Sequence, residues 1–208
     1  KSSGPSYGTS INKPSSGNTQ DNTDVSVTSY TDVLPSHWFY DSVMAVSEKG
    51  YMNGTNPGMF EPDLPLTRAM LVTILYRYAG EPEVTGVSFN DVPTNTWYSD
   101  AVTWAADAGI VNGTEPGMFE PDVNITREQL ATIIYRYAVA YGYDTSAAGS
   151  IIGYTDSAYI SDWAQTALIW TIGAGIIDGK DNNKLDPTGN ATRAEAAAII
   201  ERFDNFIG

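Results

Sequence analysis

Residues 31–79 and 90–138 are two copies of one unit: at an offset of 59, 25 of 49 positions are identical. Residues 53–63 read Asn-Gly-Thr-Asn-Pro-Gly-Met-Phe-Glu-Pro-Asp and return at 112–122 with one change, Asn56 to Glu115. A third copy keeps landmarks only. Asp156 answers to Asp32 and Asp91, Trp163 to Trp38 and Trp97, Gly179 to Gly54 and Gly113, and Thr192-Arg193 to Thr67-Arg68 and Thr126-Arg127. A unit of about sixty residues repeated in this way is usually a supersecondary element that cannot bury its apolar face alone. The copies must therefore pack on one another.

The second copy shows what the unit is. Asp91-Val92-Pro93 reads as extended or turn, because proline disfavours helix at the residue before it. A helix is expected from about Trp97 to Ala108, stopped by Gly109. Asn112-Gly113 and Pro116-Gly117 are turns around a short apolar clip, and Met118 and Phe119 follow. A second helix starts at Thr126. Its apolar positions Leu130, Ile133, Ile134, Tyr137, Ala138 and Tyr141 follow the spacing of one buried face. Leu71, Ile74, Leu75, Tyr78 and Ala79 repeat the stripe in the first copy, and Ala196, Ile199, Ile200 and Phe203 in the third. The expected fold is all-α: three helix-loop-helix units joined in one three-lobed body. Their bounds are 29–80, 87–141 and 152–208, after a Ser/Thr/Asn/Gly-rich linker over 1–28.

Composition narrows the chemistry. There is no cysteine, so disulfides and thiolate chemistry are excluded, and the single histidine, His37, has nothing nearby to form a nucleophile–base pair. The net charge of −14 and pI near 4.2 argue against nucleic acid, which needs a basic face, and against adhesion to an acidic membrane. The chain begins at Lys1 and has no apolar run long enough for a signal peptide or a membrane span. The expectation is a mature piece of a longer protein, with no membrane insertion.

One motif asks for a function. Thr67, Thr126 and Thr192 suit the N-cap of the second helix, and Gln129 and Glu195 complete a capping box that Met70 cannot. The arginine after each threonine is harder to explain. At the first helical position the dipole is positive, and a cation there costs about 0.3–1 kcal/mol. Either a carboxylate from a neighbouring unit offsets this, or a bound anion does, since arginine beside free helix N–H groups makes a ready anion site.

Asp-Val, then Trp, then the Gly-Ile clip, then Phe-x-Pro, then Thr-Arg-x-x, in three ordered copies, resembles tandem S-layer homology domains. Thr192-Arg-Ala-Glu195 is that family's signature as it stands, and the resemblance covers the chain after residue 28. It implies a pseudo-threefold spindle with ligand grooves between neighbouring units. The implied role is non-covalent anchoring of a surface protein to the cell wall, through a secondary cell-wall polysaccharide often bearing a pyruvate ketal, or through peptidoglycan. Arg68, Arg127 and Arg193 are then expected to meet the ligand's carboxylate or sugar oxygens. Trp38, Trp97 and Trp163 either floor the grooves or plug the core at the helix start. Gly50, Gly109 and Gly175 cap the first helices and leave room for a sugar. Asp162 is positioned to accept sugar hydroxyls; its equivalents are His37 and Thr96, so the grooves should differ. Residues 180–187 replace the loop of the other copies, and Met70 replaces the acid of the signature, which weakens any groove built on them.

Three rivals remain. An enzyme needs one singular site, such as a carboxylate pair, but the distinctive residues here come in threes. The cluster of Asp178, Asp181, Asn182, Asn183 and Asp186 lacks the spacing of a calcium loop, so no metal or other cofactor is assigned. A protein–protein assembly module in which the arginines only lock units together is the third. The reading adopted is a non-catalytic, extracellular carbohydrate-binding anchor.

Overall fold

Three threonines set the frame. The computed structural model describes residues 29–86 and 88–208, so the expected linker over 1–28 lies outside the described residues. Among the described residues are six α-helices: α1 (Tyr40–Glu48), α2 (Arg68–Tyr78), α3 (Ser99–Asp107), α4 (Arg127–Ala140), α5 (Gln165–Gly173) and α6 (Arg193–Ile207). Thr67, Thr126 and Thr192 cap α2, α4 and α6, each hydroxyl accepting from the N–H three residues on. Gln129 and Glu195 return the bond to the cap N–H and close two capping boxes, which Met70 cannot do. The first helices end with Lys49, Ala108 and Ala174 as C-caps, and the next residues, Gly50, Gly109 and Gly175, sit at φ +72°, +70° and +70°, the left-handed region that halts a helix.

The expected first helix of the second copy is shorter than its pattern implied. It begins at Ser99, leaving Trp97 before it. The second helices are also buried beyond one stripe: Val72, Ala131 and Ala197 are fully buried as well as Leu75, Ile134 and Ile200. They line the centre, so neighbours cover more than one face. Apolar periodicity shows the first partner of a helix and is blind to the second.

Packing exchanges helices between units. α3 lies against α2 of the preceding unit, α5 against α4, and α1 against α6, which closes the ring. Specific bonds accompany it: Ser161 donates from its N–H and hydroxyl to Glu128 of α4, both at 2.9 Å, and Tyr78 donates to Asp204 of α6 at 2.9 Å. At the axis the segments preceding the second helices form a cyclic triad. Leu66 N–H donates to Ala191 C=O (2.8 Å), Ile125 N–H to Leu66 C=O (2.8 Å), and Ala191 N–H to Ile125 C=O (3.0 Å). All three residues are fully buried, so no water can replace these bonds. Only isolated bridges such as Thr67–Asn124 and Thr126–Asn190 result, with no named strand among the described residues. The body is the pseudo-threefold array expected.

Candidate ligand grooves

The arginines are structural before they are anything else. Arg68 is only 5% exposed; its Nε donates to Phe119 C=O at 2.8 Å and its Nη2 to Asn112 C=O at 3.4 Å, both in the next unit. Arg127 does the same to Leu185 and Asp178, and Arg193 to Phe60 and Asn53. Phe119 and Phe60 also lie under the guanidinium of Arg68 and Arg193, at 4.6 and 4.5 Å. The third copy has Leu185 at that place and no such ring. Burial holds the Arg68 and Arg193 guanidiniums below the usual arginine range.

This corrects the two explanations offered for the arginines. For Arg68 and Arg193 the offset is a pair of carbonyl dipoles and an aromatic face; only Arg127 also approaches a carboxylate, Glu195, at 3.5 Å. Nor are the helix N–H groups free. Those of Arg68 and Ala69 donate to Val123 and Pro121 C=O, those of Arg127 and Glu128 to Gly189 and Pro187, and those of Arg193 and Ala194 to Leu64 and Pro62. The neighbouring unit occupies the positions an anion would need.

The opening aspartates complete the device. Asp91 accepts from Phe119 N–H (2.8 Å) and Glu120 N–H (2.6 Å), so one peptide is held by Asp91 on its donor side and Arg68 on its acceptor side. Asp32 holds Phe60 and Glu61, and Asp156 holds Leu185 and Asp186, in the same way. Burial opposes the charge on Asp91 and Asp156, but the backbone N–H bonds prevail and keep both carboxyls below the usual range. A carboxyl depressed in the fold adds stability that is complete above its unfolded pKa of about 3.9 and disappears as pH falls through the folded value. The thermal midpoint should therefore vary little from pH 8 to 5 and fall steeply below about pH 4, an effect that Asp91→Asn should blunt in calorimetry.

Above each lock lies a groove drawing on all three units. The first joins Arg193, Asn53 and Arg77 with Trp97; the second joins Arg68, Asn112 and Arg136 with Trp163; the third joins Arg127, Asp178 and Arg202 with Trp38. Their volumes are about 370, 420 and 610 Å³. Trp38, Trp97 and Trp163 are 67%, 61% and 55% exposed, which removes the core-plug alternative. They precede α1, α3 and α5 instead of lying within them, so their rings stand over the neighbouring unit. Gly113 lies in the second groove, where a Cβ would come within 2.5 Å of Met118 C=O.

Other expected site residues lie elsewhere. Gly50, Gly109 and Gly175 line none of the three grooves; their role is the backbone conformation noted above. Asp162 is exposed, accepts from Gln165 Nε2 at 3.2 Å, and is not among the groove residues. The sequence reading also missed Arg77, Arg136 and Arg202, one in each groove. Their signal was present: Tyr-Arg-Tyr recurs at 76–78 and 135–137.

The fold is a closed ring of three helix-loop-helix copies with one aromatic–cationic groove per copy. The S-layer homology domain profile matches residues 29–69, 88–131 and 153–197, and the chain belongs to that family. It is 32% identical over 169 residues to an amylopullulanase of Thermoanaerobacterium thermosulfurigenes, covering 80% of this chain and 9% of that protein. An S-layer protein of Bacillus thuringiensis subsp. finitimus is 31% identical over 182 residues, 86% of this chain and 22% of that one. A cellulosome-anchoring protein of Acetivibrio thermocellus is 26% identical over 157 residues, 73% and 35% respectively. The match thus spans between 9% and 35% of these proteins' length. Family and relatives together support a role in attachment at the cell surface. No helix among the described residues is long and apolar enough to cross a membrane.

Proposed function

We propose that the chain is a non-catalytic anchor that holds a larger extracellular protein to the bacterial cell wall by binding secondary cell-wall polysaccharide, including pyruvylated forms, in its grooves. The observation that carries this reading is the trio of exposed tryptophans, each beside an arginine at a groove edge. An indole leaves a large apolar face in water, an arrangement typical of a binding surface. The sugar would lie against that face. Arg68 and Arg193 spend Nε and Nη2 on carbonyls, while no hydrogen bond or ion pair to the described protein engages Nη1, which is left for a ligand oxygen. The acids Asp32, Asp91 and Asp156 are committed to backbone N–H groups and form no catalytic pair in the grooves.

The peptide lock itself favours the protein–protein assembly reading, in which the arginines serve only the ring; the exposed tryptophans are what that reading leaves without a purpose. Co-sedimentation with cell-wall sacculi, before and after chemical removal of the attached polysaccharide, separates the possibilities. Trp163→Ala removes an exposed ring and should leave the thermal midpoint nearly unchanged, while weakening sedimentation about tenfold. Binding that survives stripping points to peptidoglycan. Absence of binding to any wall preparation would sink the anchor.

A further inference from the structure

The three grooves are alike in backbone and unlike in charge. Asn53 and Asn112 become Asp178, Thr55 and Thr114 become Lys180, and Met70 and Gln129 become Glu195. The arginine at the far end is Arg77, Arg136 or Arg202. In the third groove Arg202 pairs with Asp178 at 2.8 Å, Lys180 with Glu195 at 2.9 Å and Asp186 at 2.8 Å, and Arg127 approaches Glu195 at 3.5 Å. Its cations Arg127, Lys180 and Arg202 face the carboxylates Asp178, Asp181 and Glu195. Burial opposes the charge of Lys180, but its hydrogen bonds to Asp186 and Glu195 prevail, and its ammonium is stabilised accordingly.

The other two grooves have no such balance. Arg77 with Arg193, and Arg136 with Arg68, face grooves that no carboxylate lines. Neither Arg77 nor Arg136 makes an ion pair among the described residues. The aspartates behind the arginines, Asp32, Asp91 and Asp156, recur in all three units and cannot distinguish them.

We infer that the charged part of the ligand is taken by the grooves of Trp97 and Trp163, through the pairs Arg193–Arg77 and Arg68–Arg136, and that the Trp38 groove, although it has the greatest volume of the three, rejects an anion. This rests on reading the grooves as saccharide sites and specifies what each accepts: an anionic saccharide in two, a neutral stretch at most in the third. It departs from the expectation that a groove built on Met70 is weakened, and keeps that expectation for the groove built on residues 180–187. Lacking an acid, the groove built on Met70 leaves its cations without an ion pair among the described residues. An anion entering the third groove must first displace Asp178 or Glu195 from a formed ion pair, whereas one entering the others meets unpaired guanidinium.

Short fragments of purified wall polysaccharide, titrated calorimetrically into the full chain, test this. Arg77→Gln and Arg136→Gln should each weaken one class of site about tenfold or more, the usual size of a lost charge-assisted bond. Arg202→Gln should change nothing. Asp178→Asn with Glu195→Gln gives these two positions the neutral residues of the second groove, leaves Asp181 as the one lining carboxylate, and should raise the number of anion sites from two to three. Amidating the fragments' carboxylates, or removing their phosphates, should abolish tight binding in whichever arm carries the charge. If Arg202→Gln weakens binding as much as Arg136→Gln, or if fragments stripped of both groups bind as tightly, the charge assignment is overturned while the anchor stands. If the unaltered chain binds no fragment, the reading of the grooves as polysaccharide sites itself falls.

Discussion

A fragment holding the first two units, residues 29–142, is expected to show no cooperative unfolding transition. In an open repeat array, loss of a terminal unit subtracts that unit's own stability and one interface. Here the ring is closed, so the loss of the third unit removes two interfaces at once, α5 from α4 and α6 from α1. The axial triad loses Ala191, Arg127 loses the carbonyls of Leu185 and Asp178, and the carbonyls of Phe60 and Asn53 lose Arg193. Fully buried Val43, Ile134 and Leu130 would face water, at about 1.5–3 kcal/mol each. The total, about 5–9 kcal/mol, is comparable to the whole stability of an ordinary domain. Circular dichroism during heating provides the measurement; a sharp transition with native helix content in the fragment would show that the ring is dispensable.

Arg193→Ala carries the next largest effect. The guanidinium joins α6 to the loop of the first unit, 133 residues away in the chain, through Phe60 C=O at 2.9 Å and Asn53 C=O at 2.7 Å. Alanine leaves both carbonyls without that donor and removes the cation from the Phe60 face. The expected cost is about 3 kcal/mol, or roughly 10 °C in the thermal midpoint. Arg193→Lys should recover little of it, because an ammonium cannot serve two carbonyls and an aromatic face with the planar fork of arginine. A loss below about 1 kcal/mol in denaturant unfolding would mean that the lock is incidental. The same energetics show why alanine at any of the three arginines is a poor probe of ligand contact: loss of binding there would not separate a missing contact from an opened ring. The exposed tryptophans and Arg136 do not suffer from this ambiguity.

Much of this was legible in the residues. Gly109 and Thr126 gave the helix boundaries, because caps and stops are local effects of backbone conformation and of one hydroxyl. The stripe Leu130, Ile133, Ile134 and Tyr137 gave a buried face. The full burial of Ala131 was not legible, since alanine is apolar enough for either side of a helix. Arg68 was recognised as anomalous at a helix start, and the anomaly was real; its partner could not be found because a carbonyl oxygen leaves no trace in the one-letter code. Trp97 was ambiguous for a similar reason. An indole suits a core and an exposed surface equally, and only its place before α3 leaves it outside the core.

The division follows from range. Repeat number, helix content, capping and the acidic, cysteine-free chemistry are properties of neighbours along the chain, and the residues alone specify them. Closure of the ring, the use of peptide oxygens as the arginines' counter-dipoles, and the assembly of each groove from three units depend on groups separated by tens of residues. The charge of a groove belongs with these: Asp178, Glu195 and Arg202 are unremarkable one by one, and cancel only because folding brings them within about 3 Å of opposite charge.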